Sequence, residues 1–95
     1  MIIACDFDGT LYRDGQVNIN LINRLKLGQR QGKTVILWTC RDGKRLSEAL
    51  IILMEYGFKP NFVNENSPMT IQKLGYNPRK ILADVYIDDK AINVN

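Results

Sequence analysis

Four carboxylates stand out in a chain of 95 residues: Asp6 and Asp8 near its start, Asp88 and Asp89 near its end. Each pair closes an apolar run, residues 2–6 in one case and 81–87 in the other. Ionised carboxylates that converge on one crevice repel and raise one another's pKa. A hard divalent cation relieves that repulsion, and Mg²⁺ favours a few carboxylates with waters and phosphate oxygens as its remaining ligands. Alone, Asp6-Phe7-Asp8-Gly9-Thr10 could be a polar turn leaving a strand; the second acidic pair at another strand end favours the metal reading. A calcium loop of the helix-loop-helix type is excluded, because Leu11 holds its glycine position and Val17 its glutamate position.

Candidate phosphate anchors accompany the acids. Thr39 ends an apolar run and is followed by Cys40-Arg41-Asp42-Gly43 and a helix pattern, so backbone N–H groups and a helix start could hold an anion there. Equally, Thr39 could be a β-branched residue finishing a strand. Lys80 precedes the last apolar run and must lean toward the acids to take part. Arg41 could clasp a second anionic group or be a surface charge. Cys5, alternating away from Asp6, is expected to be a small buried apolar residue. Cys40 lies beside the phosphate loop with no base to activate it. A cysteine-phosphatase loop also fails, because Leu46 stands where its arginine is required.

Positioning these groups requires strands that alternate with helices. Residues 2–6 read as a buried strand and 9–17 as a loop or small hairpin. Asn18 caps a helix with Ile19, Ile22 and Leu25 on one face, closed by Gly32. Residues 34–39 form the clearest buried strand. A helix over about 43–56 carries Leu46, Ala49, Leu50, Leu53 and Met54 as its apolar stripe, with Asp42 as cap and Gly57 as stop. Phe62-Val63 reads as a short strand, Ser67-Pro68 opens a short helix that Gly75 closes, and 81–87 reads as the last strand. The pattern predicts one α/β domain over residues 1–95, Rossmann-like and three-layered, with about four mostly parallel strands and helices on both faces. In such a sheet ligands bind at the carboxyl ends of the strands, where every reactive-looking residue here falls.

Composition narrows the chemistry. Without histidine there is no Ser-His-Asp triad, Cys-His dyad, His-ligated zinc site or histidine phosphotransfer. Two cysteines are too few for a disulfide scaffold or a four-thiolate zinc site. No basic region precedes the acid at position six, so the N-terminus does not read as a signal peptide. The longest apolar run, Ala49–Met54, is far too short to span a membrane, and a cytoplasmic location is expected. The formal charge is +3; with the four site carboxylates set aside, six acids remain against thirteen bases, a net +7. That exterior suits a phosphate-bearing partner, but no basic run or aromatic-basic alternation diagnostic of nucleic acid is present.

Taken together these motifs resemble the haloacid dehalogenase superfamily of phosphohydrolases. Its Asp-x-Asp-x-Thr first motif matches IIACDFDGT, with Asp6, Asp8 and Thr10. The Ser/Thr of its second motif matches VILWTCR with Thr39, and its third and fourth motifs match KILADVYIDDKA with Lys80, Asp88 and Asp89. The match is collinear over nearly the whole chain. The roughly ten residues after Thr10 fit a flap but no cap domain, similar to small capless hydrolases with a Trp-Ser/Thr-x-Arg second motif. Since the chain ends six residues after Asp89, a fifth strand is expected to be missing, and oligomerisation could compensate.

The resemblance implies a Mg²⁺-dependent phosphatase. Asp6 would be the nucleophile and form an aspartyl-phosphate, and Asp8 would be the general acid and base. The metal would be held by the Asp6 carboxylate, the Asp8 carbonyl and Asp88, with Asp89 binding through water or orienting Lys80. Thr39 and Lys80 would hold the phosphoryl oxygens, in a loop that includes Cys40 and Arg41. One alternative is a catalytically silent binding or assembly unit. A phospho-receiver is the other, although its middle strand would end in Asp where this chain has Thr39. An open, capless site suits either a macromolecular phosphate or a small sugar or nucleotide phosphate.

Overall fold

The computed structural model describes residues 1–89 and the strand at 92–94. Its elements are β1 (Ile2–Asp6), β2 (Tyr12–Arg13), β3 (Gln16–Val17), α1 (Ile19–Arg30), β4 (Thr34–Trp38), α2 (Gly43–Glu55), β5 (Phe62–Val63), α3 (Pro68–Leu74), β6 (Val85–Ile87) and β7 (Ile92–Val94). The main sheet has the order β5-β4-β1-β6-β7. Four of its strands are parallel, as the alternating pattern predicts, and β7 runs antiparallel to β6. A fifth strand is therefore present, contrary to expectation. Only three residues long and beginning at Ile92, five positions after β6 ends, it leaves too few residues for a crossover helix and carries no crossover signal in the sequence.

The chain winds β1→β4→β5 in one direction and then returns to place β6 on the other side of β1. That reversal makes the gap between β1 and β6 the switch point of the sheet. The α1 and α2 crossovers cover one sheet face. There Cys5, Val35 and Leu37 pack with Phe7 and Leu11, with Ile22 and Leu25 of α1, and with Ala49, Leu53 and Phe58. Right-handed return takes α3 to the opposite face, where Ala4 and Ile36 are fully buried.

Local signals mostly act as read. Asn18 accepts a hydrogen bond from the Leu21 N–H, and the Ser67 hydroxyl accepts one from Thr70 N–H. Gly75 ends α3 in the left-handed region, where glycine avoids a Cβ clash. Asp14 and Gly15, both at positive φ, form the two-residue turn of the β2–β3 hairpin. Several expectations fail at element edges. Ile19 and Met54 are exposed, at the ends of their helices, and Asp42 occupies the α2 cap position without a side-chain capping bond. Gly28 instead completes the buried face of α1, packed beside the Lys33 side chain.

The last parallel strand is shorter than its apolar run suggests, because residues 81–83 are held by other partners, whereas the Asp84 N–H still donates to the Ile2 carbonyl of β1. Tyr86 Oη donates to the Ile81 carbonyl and accepts from Ala83 N–H. Buried Asn66 donates to the carbonyls of Pro78 and Lys80 and to Asn77 Oδ1, and accepts from Leu82 N–H at 2.7 Å. Among the described residues, no helix is long and apolar enough to cross a membrane. Replacing Asn66 with Ala strands several buried backbone groups, so Asn66→Ala should lose about 2–4 kcal/mol of stability in urea denaturation.

Candidate functional site

The sheet register brings the carboxylates together. Cys5 pairs with Ile87 and Asp6 with Trp38, so Asp88 follows β6 at the level of Asp6 on β1. After β1 the chain turns tightly: the Phe7 carbonyl accepts from the N–H groups of Thr10, Leu11 and Tyr12. Gly9, at φ 81°, rests against Asp89; a Cβ there would lie 3.2 Å from the Asp89 Cβ. Both acidic pairs thus meet at the switch point.

Burial pushes the Asp6 carboxyl above its ordinary pKa, opposed by a 2.8 Å hydrogen bond from Phe7 N–H to its Oδ1. The charges of Asp8, Asp89 and Asp88 raise it further. Asp8 behaves oppositely. The Arg41 guanidinium grips it through two bonds, Nε to Oδ2 at 2.9 Å and Nη2 to Oδ1 at 2.8 Å, and holds its carboxyl below the usual range. Arg41 lies 4.8 Å above the Phe7 ring, donates to the Arg45 carbonyl, and is only 12% exposed. It is neither a solvated surface charge nor a free clasp, since its partner is a carboxylate of the same chain.

Thr39 is buried and follows the end of β4, with its Oγ1 accepting from the Arg41 N–H. Its position depends on Asn64, which the sequence reading missed. Asn64 sits at positive φ, accepts from Thr39 N–H and donates to the Thr39 carbonyl, both at 2.8 Å. An asparagine just past a strand is a residue type that tolerates this conformation and imitates a backbone amide. Cys40 is exposed, whereas Cys5 is buried with its thiol pushed up to about 12. Lys80 is exposed, and its Nζ lies 5.9 Å from the Tyr86 ring centroid.

The donor chemistry fits a hard cation: oxygen ligands only, and a carboxylate whose ionisation is opposed by three others. Among the described residues no three acidic side chains stand at metal-holding spacing. Two carboxylates, Asp6 and Asp88, with the Asp8 backbone carbonyl need no such trio. Beside them a polar groove of about 620 Å³ opens between the hairpin and Asp88-Asp89, lined by Thr10, Arg13, Gln16 and Asn18 among others.

No known family model matches the chain, and no curated protein matches it significantly. Among solved structures it is similar to a conserved protein from Bacteroides thetaiotaomicron, with 33% identity and a TM-score of 0.80 over 96% of this chain and 77% of that one.

The Arg41 grip generates a pH-dependent prediction. Because Arg41 depresses the Asp8 pKa in the folded state, its contribution is full above the ordinary carboxylate range. It disappears as pH falls through the depressed folded value. Arg41→Ala should therefore cost about 1–2 kcal/mol at neutral pH, modest because Asp8 is half exposed. The gap from wild type, followed by denaturant melts across pH, should narrow in acid.

Proposed function

We propose that this chain, which belongs to the same family as the conserved Bacteroides protein, is a Mg²⁺-dependent phosphomonoester hydrolase of the haloacid dehalogenase type. The observation that carries the reading is Asp6: a partly desolvated carboxylate at the sheet's switch point, opposed by three more carboxylates. A structural acid gains nothing from such surroundings, whereas a nucleophile facing a cation and a phosphoryl group does.

In this reading an Asp6 carboxylate oxygen attacks phosphorus, the ester oxygen leaves with a proton from Asp8, and an aspartyl-phosphate forms. Asp8 then takes a proton from the water that hydrolyses it. For Asp8 to donate first, its contact with Arg41 has to loosen as substrate enters. Thr39, fixed by Asn64, offers its hydroxyl to a phosphoryl oxygen, and Lys80 supplies a second cationic contact. Asp6, Asp88 and the Asp8 carbonyl would hold Mg²⁺, which when bound screens nucleophile from substrate and stabilises the transferring phosphoryl group. Asp89 would act on the metal through water or orient Lys80. Two free thiols suit a cytoplasmic setting.

The closed Arg41–Asp8 contact is also what a catalytically silent binding unit would keep, and turnover separates the two. Wild-type protein should hydrolyse an aryl phosphate with Mg²⁺ and stop with chelator. Asp6→Asn should lose at least about 10³-fold in kcat, the scale expected when a covalent nucleophile is removed. Folded wild-type protein that turns over no aryl phosphate with Mg²⁺ contradicts the hydrolase reading.

A further inference from the structure

The sheet face that carries Asp6 also carries an aromatic wall. In the parallel register Trp38 of β4 stands opposite Asp6, and Tyr86 of β6 stands opposite Ala4. Side chains two residues apart on a strand share a face, so all four project to the α3 side. Trp38 and Tyr86 come from strands on either flank of β1, yet their ring centroids are 6.1 Å apart at an interplanar angle of 70°. Neighbouring strands are about 4.8 Å apart, so the rings lean toward each other across β1. Ala4, with only a methyl group, leaves them room to meet. Tyr86 is immobilised by its two hydrogen bonds to residues 81 and 83, and it braces Trp38. Lys80 stands over the far ring of the pair.

Trp38 nevertheless remains 44% exposed. An isolated exposed aromatic needs no explanation. This one is held rigid, in register with the proposed nucleophile, and on the same side as the proposed phosphate-binding lysine. The polar groove beside the hairpin offers no ring surface at all. We propose that Trp38 is a stacking platform for the alcohol part of the substrate, which makes the substrate a phosphate monoester carrying a flat heteroaromatic ring: a nucleoside monophosphate. This rests on the phosphomonoesterase reading and names its substrate class. The ring stacks on Trp38 while the phosphate reaches Asp6.

Trp38 is the chain's single tryptophan, so intrinsic fluorescence reports on this position alone. Adenosine 5′-monophosphate added to the full chain with Mg²⁺ should quench it saturably, and ribose 5-phosphate or inorganic phosphate should not. The ratio of kcat/KM for adenosine monophosphate over ribose 5-phosphate should fall about tenfold in Trp38→Ala, the size of a lost base–aromatic stack. Trp38→Phe, which keeps a ring, should largely retain it. Equal quenching by ribose 5-phosphate overturns the platform. So does no quenching by protein that hydrolyses aryl phosphates, or an unchanged ratio in Trp38→Ala. Saturable quenching by the nucleotide without any hydrolysis would support the platform and count against the hydrolase reading.

Discussion

Asp6 occupies the position where the winding of the sheet reverses, and the surrounding structure makes its negative charge costly. Burial removes water from it, and Asp8, Asp88 and Asp89 add repulsion from two separate turns. The tight turn around the Phe7 carbonyl and the contact of Gly9 with Asp89 pull both acidic pairs to one edge. Arg41 offsets the charge of Asp8 through its two-bond ion pair.

The rest of the edge is shaped by side chains that stand in for backbone. Asn64 completes the hydrogen bonding of Thr39 just beyond the end of the sheet, and Asn66 does the same for residues 78–82. Asn61 accepts from Val35 N–H farther back along β4. An amide side chain offers the donor and acceptor of a peptide group without requiring another residue of strand. In this way two-residue β5 can end early and the chain can leave the sheet while Thr39 keeps a fixed orientation. Hydrogen bonds thereby substitute for length in a small domain.

Much of this was legible in the sequence because it follows from periodicity and chain punctuation. Runs 2–6 and 34–39 are short, apolar and largely β-branched, which reads as strand, and the acids and Thr39 lie directly at their ends. Ser67-Pro68 and Gly75 mark α3 to the residue. What could not be read depends on contacts distant in sequence. Ile81-Leu82-Ala83 looks like strand, and only Tyr86 and Asn66 reveal why it is not. Arg41 reads as either clasp or surface charge until the fold carries Asp8 to it. The Trp38–Tyr86 wall is likewise invisible without the register across β1, since 48 positions separate the two residues.

The most direct measurement of the central electrostatic claim is the thermal midpoint of wild type and Asp6→Asn, each with and without Mg²⁺. Asp6 has its pKa raised in the folded state, so its cost is absent below the ordinary carboxylate range and complete above the raised folded value. At neutral pH without metal, Asp6→Asn should melt higher by on the order of a few degrees. Mg²⁺ should raise the wild type and close that gap. A variant that melts lower than wild type, together with a wild type indifferent to Mg²⁺, would contradict a carboxylate site built for a cation.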